Sequence, residues 1–226
     1  MKLFSYFTKG ERWLWCASAS ALLLSYFVFK QDDPLNLIGS LLGITSLLFN
    51  AKGNPFGQFL MIIFGLLYGY ISYGFGYYGE MITYMGMTAP MALFALIAWL
   101  KNPYKGNKAE VAVNKISKKE WRLAGILTLV ITIIFYFLLA ALGTSNLPLS
   151  TLSVATSFLA VYLTLRRSAY FALAYAANDV VLVLLWGFAS FFDPAYISVT
   201  VCFATFLVND LYGFFSWRNM EKRQNA

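Results

Sequence analysis

The sequence has no histidine among its 226 residues, and charged residues make up only 12% of it. The missing histidine excludes Ser-His-Asp and Cys-His nucleophile systems, His-ligated metals and haem, and imidazole proton relays. Two cysteines, Cys16 and Cys202, both inside apolar runs, are too few for a disulfide framework or a thiolate metal site. The scarcity of charge excludes more. A soluble domain carries about 25% charged residues, and half that figure with a mean hydropathy of +0.65 does not furnish a water-exposed surface. What is present instead is 60% hydrophobic and 19% aromatic residues, gathered in long runs. That is the pattern of a polytopic, all-α membrane protein.

The runs predict eight transmembrane helices, over 13–29, 35–49, 56–73, 81–100, 123–142, 149–165, 170–192 and 195–217. The second is short against the 17–25 residues that a crossing usually takes, roughly. All seventeen Lys and Arg residues except Lys30 fall on one side of this arrangement. By the positive-inside rule both termini are then cytoplasmic, in what would be a bacterial inner membrane. The formal charge of +7 is thus an orientation signal and not a sign of a nucleic-acid partner. A cleaved signal peptide is the alternative for the first run. No small-x-small site ends it, and an anchor helix with its start inside fits the charges better.

The longest polar stretch, 101–122, predicts a solvated basic cytoplasmic linker. Around it the chain looks symmetric. Residues 35–100 and 149–217 each hold three spans joined by tight turns, and the lone span in 123–148 lies between them. This 3+1+3 layout predicts two parallel three-helix repeats joined by a linker helix, with 1–34 as an extra N-terminal transmembrane helix and 218–226 as a cytoplasmic tail. Ten of the sixteen glycines fall between Gly39 and Gly86, as close helix packing or a gating hinge would require.

Polar residues at membrane depth are functional candidates by default, because insertion scales charge about 2.5–3.5 kcal/mol for a charge at the helix centre. An Asn-Asp pair occurs twice, as Asn178-Asp179 and Asn209-Asp210. Helical spacing sets Tyr175, Asn178, Asp179, Leu182 and Trp186 on one face. Asn209, Tyr212 and Ser216 form a strip beside one with Phe206, Asp210, Gly213 and Trp217. Glu80, Tyr84 and Thr88 align in the fourth span, and Gln58, Met61, Gly65 and Tyr68 in the third. If these faces turn inward they form a cavity. Substrate contact is expected from Asn178, Asp179, Trp186, Asn209, Tyr212, Gln58, Tyr68, Tyr84 and Thr88, and gating or secondary roles from Glu80, Asp210 and Trp217. For the asparagines and aspartates, interhelical hydrogen bonding is the competing role. For Trp186, Tyr212 and Trp217 it is the interfacial aromatic belt, which for Trp217 is the better reading. Aromatic planes, amides and carboxylates together suit a planar, cationic, hydroxylated solute.

Several stretches resemble the PnuC family of nicotinamide riboside transporters. They are Val208-Asn209-Asp210-Leu211-Tyr212-Gly213-Phe214-Phe215-Ser216-Trp217, Asn178-Asp179-Val180-Val181 through Trp186-Gly187, and Phe64-Gly65-Leu66-Leu67-Tyr68-Gly69. The resemblance implies a fold like that of the SWEET sugar transporters, a homotrimer, and facilitated diffusion of the riboside. Cytoplasmic phosphorylation would trap the product for NAD synthesis. It implies no enzyme activity and no cofactor. Relatives carrying thiamine, riboflavin or deoxynucleosides are the alternatives, as is an ion-coupled carrier using Asp179 and Asp210. A two-aspartate intramembrane protease lacks its Gly-rich flanks, and a retinal protein lacks its late-helix lysine.

Overall fold

The structure is a computed structural model that describes residues 6–29, 34–74, 78–144, 146–194 and 196–226. Lys2, Lys30, Gln31, Gly76 and Ala195, which carry parts of the orientation, loop and glycine expectations, lie outside the described residues. The described chain runs α1 (Lys9–Val28), α2 (Pro34–Ala51), α3 (Pro55–Gly74), α4 (Tyr78–Ile82), a π-helical segment (Thr83–Thr88), α5 (Ala89–Leu100), β1 (Pro103–Tyr104), β2 (Asn107–Val111), α6 (Lys118–Ala141), α7 (Leu147–Leu165), α8 (Phe171–Ser190) and α9 (Tyr196–Asn225). Among the described residues, seven stretches are long and apolar enough to cross a membrane: α2, α3, Gly79–Leu100, α6, α7, α8 and α9. Helix α1, with Lys9, Glu11 and Arg12 in its first turn, is less apolar and packs against α2 and α9.

Two helix starts are written in short polar signatures. Thr8 accepts from the Glu11 backbone N–H at 3.2 Å, and the Glu11 carboxylate accepts from the Thr8 N–H at 2.6 Å. Ser117 and Glu120 repeat the arrangement at the head of α6. Such reciprocal caps satisfy N–H groups that a helix start leaves orphaned, and a cap residue contributes about 1 kcal/mol. They begin α1 and α6 several residues ahead of their apolar runs.

The fourth run is not one regular helix. Pro90 has no N–H, and its ring crowds the carbonyl four residues back, that of Gly86. The backbone answers by widening, so that the Ala89 N–H reaches the carbonyl of Tyr84, five residues earlier. This π turn lies in the wall of the cavity described below.

Residues 101–122 are more than a solvated linker. The chain reverses at Lys105 and Gly106, with φ of 47° and 81°, a pair of left-handed residues suited to the twist of a two-residue hairpin. Val111 is fully buried, and its N–H donates to the Gly53 carbonyl at 2.9 Å. The Val113 N–H donates to Gln224 Oε1 at 2.7 Å, the Asn114 N–H to the Arg167 carbonyl at 2.9 Å, and Arg223 pairs with Glu110 at 2.6 Å. The hairpin thus ties the α2–α3 turn, the α7–α8 turn and the end of α9. Backbone groups make most of these ties, so the sequence shows little apolar period here.

The bundle holds two cores. One centres on Ile44, Phe64, Leu182 and Phe206. The other, at the hairpin end, joins Trp99, Phe171 and Trp217 with Val111 and Ala124. The Trp217 ring lies 4.8 Å from Phe171 and 5.2 Å from Trp99. Trp217 is completely buried, and its indole N–H donates to the Asn50 carbonyl at 2.7 Å. It is a core residue and not an interfacial belt anchor. Glycine at 57 and 69 permits close helix approach: a Cβ at Gly57 would collide with Asn50, and one at Gly69 with Met85.

Candidate functional site

A cavity of about 680 Å³ lies among the π turn, α7, α8 and α9, within the size range of small-molecule sites. Its lining runs from Asp179, Asp210 and Val161 to Glu80, Thr144, Asn146 and Phe192. Phe192, at that far end, is 92% exposed, so the cavity opens at the bundle end opposite the hairpin. The tryptophan core closes the other end.

The structure brings seven of the expected residues to the cavity: Asn178, Asp179, Trp186, Tyr84, Thr88, Glu80 and Asp210. Asn178 is held in one orientation. Its Oδ1 accepts from Ser153 at 3.1 Å and from Thr156 at 2.9 Å, so its amide N–H groups are left for another acceptor. Asp179 and Asp210 are both buried and their carboxyl groups interact side chain to side chain. Asp179 Oδ2 is buried without a hydrogen-bond partner. Trp186 packs on Tyr196 with centroids 5.2 Å apart. Tyr84 stands edge-on to Phe64 at 5.9 Å. Glu80, toward the open end, hydrogen-bonds Ser72.

The other five lie outside the lining, each engaged by protein. Gln58 donates to Asn50 Oδ1 at 2.8 Å between α3 and α2. The Tyr68 hydroxyl lies 3.3 Å from Ser40 Oγ, its ring behind Phe64 and Tyr84. Asn209 Nδ2 donates to Ser18 of α1 and to the Thr205 carbonyl, both at 2.9 Å. The Tyr212 hydroxyl donates to Glu11 at 3.0 Å, and Ser216 to the Ala51 carbonyl at 2.7 Å. Trp217 sits in the hairpin-end core. The two strips of α9 therefore split by destination. The Asn209–Tyr212–Ser216 strip faces α1 and α2. Phe206 and Asp210 face the cavity, and one turn on the second strip dips into the tryptophan core.

Glu11 ties three elements together. Its carboxylate takes Lys52 Nζ at 3.2 Å as well as Tyr212. Burial pushes this carboxyl up, but the Thr8 N–H, Lys52 and Tyr212 outweigh it and hold it below its ordinary value.

One wall lay outside the expected site. Ser150, Ser153 and Ser157 of α7 line the cavity. Their spacing of three and four residues is a helical-face signal that a search for charges and amides passes over.

A model of the family described as nicotinamide mononucleotide transporter matches residues 33–219. The chain is 27% identical to the nicotinamide riboside transporter PnuC of Neisseria mucosa over 230 aligned residues, covering 100% of this chain and 87% of that protein. It is 25% identical to the nicotinamide riboside transporter PnuC of Haemophilus influenzae over 213, covering 94% and 91%. The crystal structure of the vitamin B3 transporter PnuC superposes with a TM-score of 0.82 at 24% identity, covering 96% of this chain and 94% of that one. That likeness shows the fold.

Proposed function

The chain belongs to the nicotinamide mononucleotide transporter family, and from that premise we propose that it carries nicotinamide riboside across a bacterial inner membrane. The observation that decides for the riboside over the mononucleotide is the charge of the cavity. Glu80, Asp179 and Asp210 line it, and no Lys or Arg does among the described residues. A phosphate needs cations or several N–H donors to replace its water, whereas a pyridinium is attracted by carboxylates and aromatic faces. The curated relatives are named for the riboside.

In this reading Trp186 and Tyr84 flank the pyridinium ring, and the Asn178 amide meets the carboxamide oxygen. Asp179 accepts from ribose hydroxyls and offsets the positive charge, and Thr88 with the α7 serines completes the polar wall. Gln58, Tyr68, Asn209, Tyr212 and Trp217 hold the helices that carry these groups.

The finer architecture is part of the proposal. Helices α2–α5 and α7–α9 form two parallel repeats and α6 is their connector, which agrees with only 11% of the α6 span being buried. Helix α1 is the extra N-terminal span. The basic hairpin end is cytoplasmic, so the described cavity faces outward, and the tryptophan core is the closed inner gate. Rocking of the repeats about the cavity gives alternating access. Transport is facilitated diffusion by a homotrimer, drawn inward by phosphorylation of the product.

Calorimetric titration of the purified protein with nicotinamide riboside, thiamine, riboflavin and a deoxynucleoside tests the substrate. The riboside is expected to bind at least tenfold more tightly than the other three. A preference for any of them replaces the substrate while keeping the carrier.

A further inference from the structure

We propose that Trp99 and Trp217 are the paired bolts of the inner gate, matched across the axis between the two repeats, and that both indole N–H bonds break each time the cavity opens to the cytoplasm. The inference deepens the proposed function and rests on its two-repeat, outward-open reading.

Each tryptophan fastens the third helix of one repeat to the first helix of the other. Trp217 of α9 donates to the carbonyl of Asn50, the penultimate residue of α2, at 2.7 Å. Trp99, the penultimate residue of α5, donates to the carbonyl of Thr164, the penultimate residue of α7, at 2.9 Å. Helix α9 packs on α2, and α5 packs on α7. Both indoles are completely buried, and their rings lie 5.2 Å apart.

The two acceptor helices end alike. After α2, Gly53 takes a left-handed φ of 64°. Its N–H reaches the Asn50 carbonyl at 2.9 Å, and the Asn54 N–H reaches that of Phe49 at 3.1 Å. After α7, Arg167 takes a φ of 57°. Its N–H reaches the Thr164 carbonyl at 3.0 Å, and the Ser168 N–H reaches that of Leu163 at 3.0 Å. Helices often close in this way on a glycine, but a left-handed arginine is uncommon. The chain between them repeats the match: Val111 donates to the Gly53 carbonyl and Asn114 to that of Arg167, each N–H at 2.9 Å. Three extended residues span at most about 11 Å, so this bridge also holds the two turns close.

Both indole bonds cross the boundary between the repeats, and neither lies within one. Rocking that opens this end draws α9 from α2 and α5 from α7, so the bonds break together. Water entering the opened gate then takes over the freed N–H and carbonyl groups. Each bolt therefore favours closure by only about fivefold, the net worth of one exchanged hydrogen bond, which keeps the gate reversible.

Trp99→Phe and Trp217→Phe each remove an N–H and keep a ring. Ala51→Cys, beside Asn50 at a position only 2% exposed, reports opening through its alkylation rate in a chain carrying Cys16→Ser and Cys202→Ser. Each phenylalanine should raise that rate about fivefold or more, and the two together by more than either alone. In membrane vesicles of known orientation, each should lower the half-saturation concentration for riboside exit and leave that for entry equal or higher. A merely structural loosening would instead lower the maximal rate in both directions without this opposition. A second pair leaves both tryptophans in place. A Cβ at Gly213 would stand 3.8 Å from that of Ala51, a spacing suited to a disulfide. Oxidised Ala51→Cys/Gly213→Cys should bind riboside but not carry it, and reduction should restore uptake. Alkylation that is unchanged in both phenylalanine variants, or raised in only one, overturns the paired bolts. Uptake through the oxidised pair overturns the gate itself. Alkylation raised in both variants of a protein that binds no riboside overturns the substrate and sustains the bolts, because labelling needs no solute.

Discussion

The dipeptide Asn-Asp occurs in α8 and again in α9, and the two copies have different partners. In α8 both residues line the cavity, with Asn178 oriented by Ser153 and Thr156 of α7. In α9 only Asp210 does, while Asn209 turns away to Ser18 of α1. One helical step of about 100° separates neighbouring side chains, so the fate of each asparagine depends on which helix lies beside it. A polar residue in a membrane helix marks a place where something polar must be met. The neighbouring element decides whether that something is a solute or another helix.

Breaking the copies one at a time gives unlike results. Asn178→Ala should lower riboside affinity roughly a hundredfold, about 2.8 kcal/mol, with little change in thermal unfolding, because Thr156 Oγ1 keeps the Leu152 and Ser153 carbonyls as acceptors. Calorimetry with unchanged affinity would remove Asn178 from the site. Asn209→Ala should do the reverse. Its loss of the Ser18 bond should cost about 1 kcal/mol of stability, seen as a lower unfolding midpoint and faster hydrogen exchange in α1. Riboside affinity should stay within about twofold of the original. An affinity loss like that of Asn178→Ala would erase the distinction between the copies.

The smallest effect concerns the Glu11 node beneath Asn209. Glu11 is held below its ordinary carboxylate value in the fold. Its contribution is therefore full above the ordinary value and lost as pH falls through the folded one. Exchange protection of α1 should drop selectively in acid, below about pH 4, by about 1 kcal/mol or less. Glu11→Gln should show no such step. A step of equal size in Glu11→Gln would assign it to another carboxyl.

Much of this architecture is legible in the chain. The apolar runs mark the helices, because a span in lipid must be apolar over its whole length. Even the π turn has a visible cause in Pro90. The hairpin at 103–111 was hidden because a single buried side chain, Val111, and a set of backbone bonds hold it. Among the candidate site residues, Asn178, Asp179, Asp210, Glu80, Tyr84, Thr88 and Trp186 reach the cavity. Gln58, Tyr68, Asn209, Tyr212 and Trp217 have the same chemistry and the same helical periodicity. What sets them apart is a partner on α1 or α2: Asn50, Ser40, Ser18, Glu11 and the Asn50 carbonyl, in that order. Periodicity assigns residues to a face but does not say which helix that face meets.

An acidic, aromatic cavity with no basic side chain among the described residues should take the riboside and refuse its phosphate. Uptake of nicotinamide riboside and of nicotinamide mononucleotide into proteoliposomes containing the purified protein tests it directly. Riboside uptake should saturate and mononucleotide uptake should stay at the level of protein-free vesicles, with a roughly hundredfold excess of mononucleotide failing to compete. Mononucleotide uptake equal to or faster than that of the riboside would contradict it.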